Sequence, residues 1–123
     1  MSTKQDLQTM GQYMLNYLAA VDVLTKEQNY LEGISGSLLG TQAERAEAAG
    51  AAAVIGAKLL ELESIHNTTV LAFQGGIKPP SKEMVEKSRE LTEQLAHTIR
   101  QQVRATVILG AVTQFVAAWA ALG

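Results

Sequence analysis

Residues 75–81 read Gly75-Gly76-Ile77-Lys78-Pro79-Pro80-Ser81, and both prolines of the 123-residue chain lie in this one stretch. A Gly-Gly pair followed by Pro-Pro ends any helix that enters and forces a turn. The other breaker cluster, Gly33-Ile34-Ser35-Gly36-Ser37-Leu38-Leu39-Gly40, is the second punctuation mark. Neither is flanked by the alternating β-branched pattern that strands require. The reading is therefore an all-α single domain over 1–123, a three-helix bundle with helices at about 3–32, 41–73 and 81–121. The turn at 75–81 makes the last two a long antiparallel helical hairpin, in which facing positions have numbers summing to about 155.

Each helix has a start signal. Ser2 or Thr3 can cap the first, with Gln5 or Asp6 reaching back. Gly40-Thr41-Gln42-Ala43-Glu44 reads as a capping box on Thr41, and Ser81 caps the third helix with Glu83 and Glu86 at its positive end. Along the first helix Leu7, Met10, Met14, Tyr17, Val21, Leu24, Gln28 and Leu31 step by three and four alternately, a heptad stripe of the coiled-coil kind. Tyr13 and Tyr17, one turn apart, can pack their rings while keeping each hydroxyl near a polar partner. The second helix is rich in Ala and Gly over its first half, which lets a neighbouring backbone approach closely.

The third helix poses a problem of size. Forty residues at 1.5 Å each make a rod of about 60 Å, whereas a compact chain of this length is about 35 Å across. On the hairpin register, Phe115 to Leu122 projects past the start of the second helix. Ile34, Leu38 and Leu39 are the nearest intramolecular cover; a second chain is the other.

Composition narrows the class of function. With 47% hydrophobic residues the chain is globular, and with no cysteine it has neither disulfides nor thiolate chemistry. Ten basic and twelve acidic side chains leave a net charge of −2 and no dense basic cluster, which argues against nucleic-acid binding. Lys4, Asp6, Gln5, Gln8, Gln12 and Asn16 interrupt the start where a secretory signal would be apolar, so the expected compartment is cytoplasmic. Residues 105–123 carry no charge, and Arg100 and Arg104 flank them.

Candidate chemistry is sparse. Glu63-Ser64-Ile65-His66 has the Glu-x-x-His spacing of carboxylate-bridged di-iron bundles, but the register sets His66 opposite about Arg89, not His97. On the stripe Ile55, Leu59, Leu62, Thr69 and Phe73, His66 reads as a partly buried seam residue bonded to a hydroxyl or carbonyl. His97 sits one turn from Glu93 and pairs with it. Glu83, Glu86, Glu90 and Glu93 alternate with Lys82, Lys87 and Arg89 as on a solvated face with intrahelical pairs.

The expectation is thus a non-enzymatic helical assembly or binding protein, forming homo-oligomers or contacting a helical partner through apolar faces. Phe115, Val116, Trp119 and Leu122 of the C-terminal helix, with Tyr17 and Val21 of the first, are the expected interaction residues. No cofactor, metal ligand or catalytic residue is assigned. The alternative is a membrane-inserting or membrane-associated helical protein using residues 105–123. Third stands a small helical-bundle metal protein.

Overall fold

The computed structural model describes residues 3–75, 80–101 and 104–122, and it is helical throughout these segments apart from the connections. Four helices follow in order: α1 Lys4–Ser35, α2 Gln42–Gln74, α3 Lys82–Gln101 and α4 Ala105–Ala120. All three expected helix starts are capped at an expected residue, but the box at Thr41 is not reciprocal, because the Glu44 carboxylate accepts from the Thr41 hydroxyl and not from its backbone N–H. Thr3 and Asp6 form a reciprocal capping box, Thr41 Oγ1 accepts from Glu44 N–H at 3.1 Å, and Ser81 Oγ accepts from Met84 N–H at 3.1 Å.

The expected third helix over 81–121 is two helices. Arg104 is extended (φ −87°, ψ 119°) and begins α4, although no glycine or proline lies nearby. The reason lies in burial. A continuous rod would leave the apolar half in water, whereas folding back buries Ile108, Val112, Phe115, Val116 and Trp119. That gain, roughly 1.5–3 kcal/mol for each large side chain, outweighs the few intrahelical hydrogen bonds given up at the break.

The break also changes the packing. Helix α1 packs on α2 and α3, and α4 packs on α2 and α3, so the four make a square with α1 diagonal to α4. Among the described residues α2 and α3 do not pack together, so the long hairpin with facing positions near 155 is not formed. The antiparallel pairs are α1 with α2, where Gln28 meets Ala52 and Tyr17 meets His66, and α3 with α4, where Met84 and Leu122 line one groove. Helices α1 and α3 run parallel. Lys4 and Lys82 line one end of their shared groove, and Asn16 reaches Val85 and Ser88 farther along.

Lengths differ by a factor of two. At 32 and 33 residues α1 and α2 are about 48 Å long, against about 24 Å for the 16 residues of α4. The core runs along the inside of the square through Met10, Leu24, Leu31, Ile55, Leu62 and Leu95 to the α4 side chains. Small residues are used closely at one place. A Cβ on Gly56 would sit 2.8 Å from Gln28 Nε2, which donates to the Ala52 carbonyl at 3.3 Å. Of the Ala-rich half of α2, Ala48, Ala51 and Ala52 are buried, while Ala46, Ala53 and Ala57 are exposed.

One core carboxylate opposes folding. Glu27 is only 9% exposed, and its burial pushes the carboxyl above the usual 4.5. The folded chain therefore holds this proton more tightly than the unfolded chain does, and the resulting stability is lost as pH rises through the folded-state value. Glu27→Gln is expected to raise the melting temperature at neutral pH and to change little below pH 4.5, a pair of thermal melts that reads the effect directly.

Candidate functional site

The six residues expected to form an interaction surface are divided by the structure. Phe115, Val116 and Trp119 are 4%, 1% and 1% exposed, inside the core of the chain itself. Leu122, Tyr17 and Val21 are half-buried at its edges. Ile34 is half-buried too, but Leu38 and Leu39 are 90% and 97% exposed and cover nothing. The cover comes instead from α1, because the reversal at Arg104 brings the end of α4 beside Tyr13.

An aromatic cluster fills that end. Trp119 Nε1–H donates to the Tyr13 hydroxyl at 3.1 Å, a bond that crosses the diagonal of the square. Phe115 tilts against Trp119 at 5.5 Å between centroids. The His66 imidazole lies flat on Tyr17 at 3.7 Å and 7°, and near-parallel to Tyr13 at 5.5 Å. The expected packing of Tyr13 and Tyr17 is thus shared with a third ring from α2. Burial and the nearby Glu63 and Tyr13 raise the Tyr17 hydroxyl above its usual 10.0.

His66 is buried as expected, but among the described residues its expected hydrogen bond is not made: Nδ1 is buried and finds no partner there. Burial pushes the imidazole below its usual 6.5, and Glu63 pulls partly the other way. The unfolded chain then binds a proton at a pH where the folded chain does not. Stability is accordingly full above pH 6.5 and falls as pH drops below it, until the folded-state value is passed. His66→Phe keeps a stacked ring, removes the unpaired nitrogen and is expected to flatten this limb. At neutral pH it should gain up to the roughly 1–3 kcal/mol that an unpaired buried polar atom costs. Urea titrations on both sides of pH 6.5 supply the comparison.

The polar chemistry elsewhere is of the surface kind. Among the described residues no three His, Asp or Glu side chains gather as a metal site requires, and Glu63 is exposed while His66 is stacked. Glu93 pairs with Arg89 at 2.8 Å instead of with His97. Arg89 also binds Glu86 and holds its carboxyl below the usual range.

A different surface stands out, on the side of α1 and α2 away from the other helices. Asn16 marks the side of α1 that meets α3, and Leu18, two residues on, lies about 200° round the helix. On α2, Glu47 lines a groove with Arg104 and Ala105, and Leu60 lies about 220° round from it. Leu7, Leu15, Leu18, Leu60 and Leu71 are each between 58% and 69% exposed, and Met14 is 42% exposed. Leu7 and Met14 belong to the heptad stripe expected to meet neighbouring helices; the buried set of α1 is centred on Met10, Tyr13, Ala20, Leu24 and Leu31.

Away from Leu60, which Lys58 and Glu61 flank, this surface is also uncharged. Residues 7–21 and 64–75 contain no Asp, Glu, Lys or Arg, and the contacts of Gln28 with Ala52 and of Tyr13 with His66 set the two stretches side by side. Those paired charge-free runs were the sequence signal for it. No family model matches the chain, and no curated protein or solved structure matches it either. No helix among the described residues is long and apolar enough to cross a membrane, and α4, the segment that insertion would use, has Ile108, Val112, Phe115, Val116 and Trp119 buried.

Proposed function

We propose that the protein is a non-enzymatic helical assembly module that binds another protein chain through the outer face of α1 and α2. The observation that carries this reading is the set Leu7, Leu15, Leu18 and Leu71 on two paired charge-free runs, with Leu60 beside the Lys58–Glu61 pair, all more than half exposed. Single exposed leucines are ordinary, but five on one side of two paired helices are the feature of an interaction surface. Covering it returns on the order of 1–2 kcal/mol per leucine, given that full burial is worth about 1.5–3. The α3/α4 side supports the contrast, since α3 carries Glu86, Arg89, Glu90 and Glu93 on its exposed positions.

A photo-crosslinking side chain placed at Leu18, and separately at Glu90, tests the reading in the cells that make the protein. A discrete adduct from position 18 and none from position 90 is expected. No adduct from position 18, or the same adducts from both, overturns it.

A further inference from the structure

We propose that the occupant of this face is a second copy of the same chain, packed antiparallel about a two-fold axis that crosses the middle of α2. The inference rests on the reading above that the face is an assembly surface. It goes further in naming the partner and its register.

Size permits it. Two helices side by side, each about 10 Å wide and about 48 Å long, present a face of about 1,000 Å², and a stable dimer buries about 800 Å² on each partner. Charge also favours a like copy. The exposed stripe of α2 runs through Ala46, Gly50, Ala53, Ala57, Leu60 and Leu71 with no charged side chain on it. At its edge Lys58 and Glu61 pair with each other at 3.1 Å. On α1 the second half carries Glu32 and the pair Asp22 and Lys26, which meet at 2.9 Å, so the charges beside the stripe are mixed in sign, and an anionic lipid surface finds no row of Lys or Arg.

The distribution of side-chain size selects the arrangement. Large residues occupy the half of the face made from the start of α1 and the end of α2, with Leu7, Leu18 and Leu71 exposed. The other half is small on α2, with Ala46, Gly50 and Ala53, and polar on α1, with Asp22, Lys26, Asn29 and Glu32. Two copies in the same direction would set large on large and small on small. An antiparallel two-fold sets each half on the other, so the α2 knobs Leu60 and Leu71 meet α2 holes, and it closes with identical contacts on both copies. With the axis between Ala57 and Leu60, halfway along α2, Leu60 meets Ala57 of the other copy and Leu71 comes level with its Ala46. The steps of four and three along 46, 50, 53, 57 and 60 are those of a helix-to-helix seam.

Light scattering in plain buffer reads the state, and twice the 13.2 kDa chain mass is expected. Leu60→Glu sets two carboxylates against each other beside the axis and is expected to halve the mass with helicity unchanged. Mixing it with Leu60→Lys is expected to restore the dimer. Because the chain has no cysteine, the register is tested by oxidation. Leu71→Cys and Ala46→Cys should cross-link when mixed and reduced dimers are allowed to exchange, and neither should cross-link alone. Efficient cross-linking of Leu71→Cys with itself overturns the antiparallel register. A monomer at every concentration overturns the second copy. If that monomer sediments with neutral phosphatidylcholine vesicles, the face binds lipid. If its position 18 still yields an adduct with a different chain, the assembly reading survives with another partner, whereas loss of both dimer and adduct removes that reading too.

Discussion

Trp119→Ala is expected to cost about 3–5 kcal/mol of folding stability, the range for emptying a large aromatic site in a core. Domains of this kind hold about 5–15 kcal/mol in all, so a fall in melting temperature of roughly 10–20 °C should follow. The cost is high because Trp119 is 1% exposed and is a member of a chain of contacts. It touches Phe115 on its own helix and Tyr13 across the diagonal, and its loss leaves the Tyr13 hydroxyl without its donor. A helix of 16 residues is marginal in water when it is not docked, so loosened α4 should also lose part of its circular dichroism. Trp119→Phe, which keeps a ring and gives up the hydrogen bond, should cost less. In the proposed dimer the mass of Trp119→Ala stays that of the parent, while Leu60→Glu changes mass and leaves melting of the monomer core alone. A loss under about 1 kcal/mol for Trp119→Ala would mean that α4 is not docked in solution.

The contrast between these two variants follows from what a sequence displays locally. Capping at Thr3, Thr41 and Ser81 was legible because the donor and acceptor are three residues apart and need no knowledge of the fold. The reversal at Arg104 was not, since nothing in Gln101 to Ala105 breaks a helix; it is decided by apolar area buried forty to ninety residues away in the chain. The excess length of a single rod pointed to the difficulty without showing where it would bend. Pairing of α2 with α3 was inferred from the turn between them, yet a diagonal connection satisfies the same turn. Burial of His66 was readable from the stripe of Ile55, Leu59 and Leu62, but its Tyr17 and Tyr13 neighbours follow only from the α1/α2 register. The outer face was not separable from the core because a heptad stripe reports regular spacing and not which side is inside. Leu7 and Met14 keep the spacing and face solvent.

Asn16→Asp is expected to destabilise the chain by about 2–4 kcal/mol at neutral pH, more than a simple lost hydrogen bond accounts for. Asn16 Nδ2 donates to the Val85 carbonyl at 3.0 Å and to Ser88 Oγ at 2.9 Å. Ser88 is fully buried, and its own hydroxyl already donates to Val85 O at 2.7 Å. The amide is thus the donor that ties α1 to α3, at a node whose other donor, the Ser88 hydroxyl, is committed to the Val85 carbonyl. Aspartate has the same shape and no donor, so it faces the Val85 carbonyl oxygen with negative charge in a half-buried site. Its carboxyl must then be pushed above the usual range, by burial and by the acceptors around it. The folded chain would bind that proton more readily than the unfolded chain, so the penalty is largest at neutral pH and shrinks as pH falls and the acid can donate in place of the amide. Asn16→Leu removes the same bonds without adding a titrating group, and its penalty should not change with pH. Urea titrations of both variants, each measured against the parent at the same pH, separate a lost donor from a buried charge. A pH-independent deficit for Asn16→Asp would mean that its side chain has swung out to water and that α3 is held on α1 by packing alone.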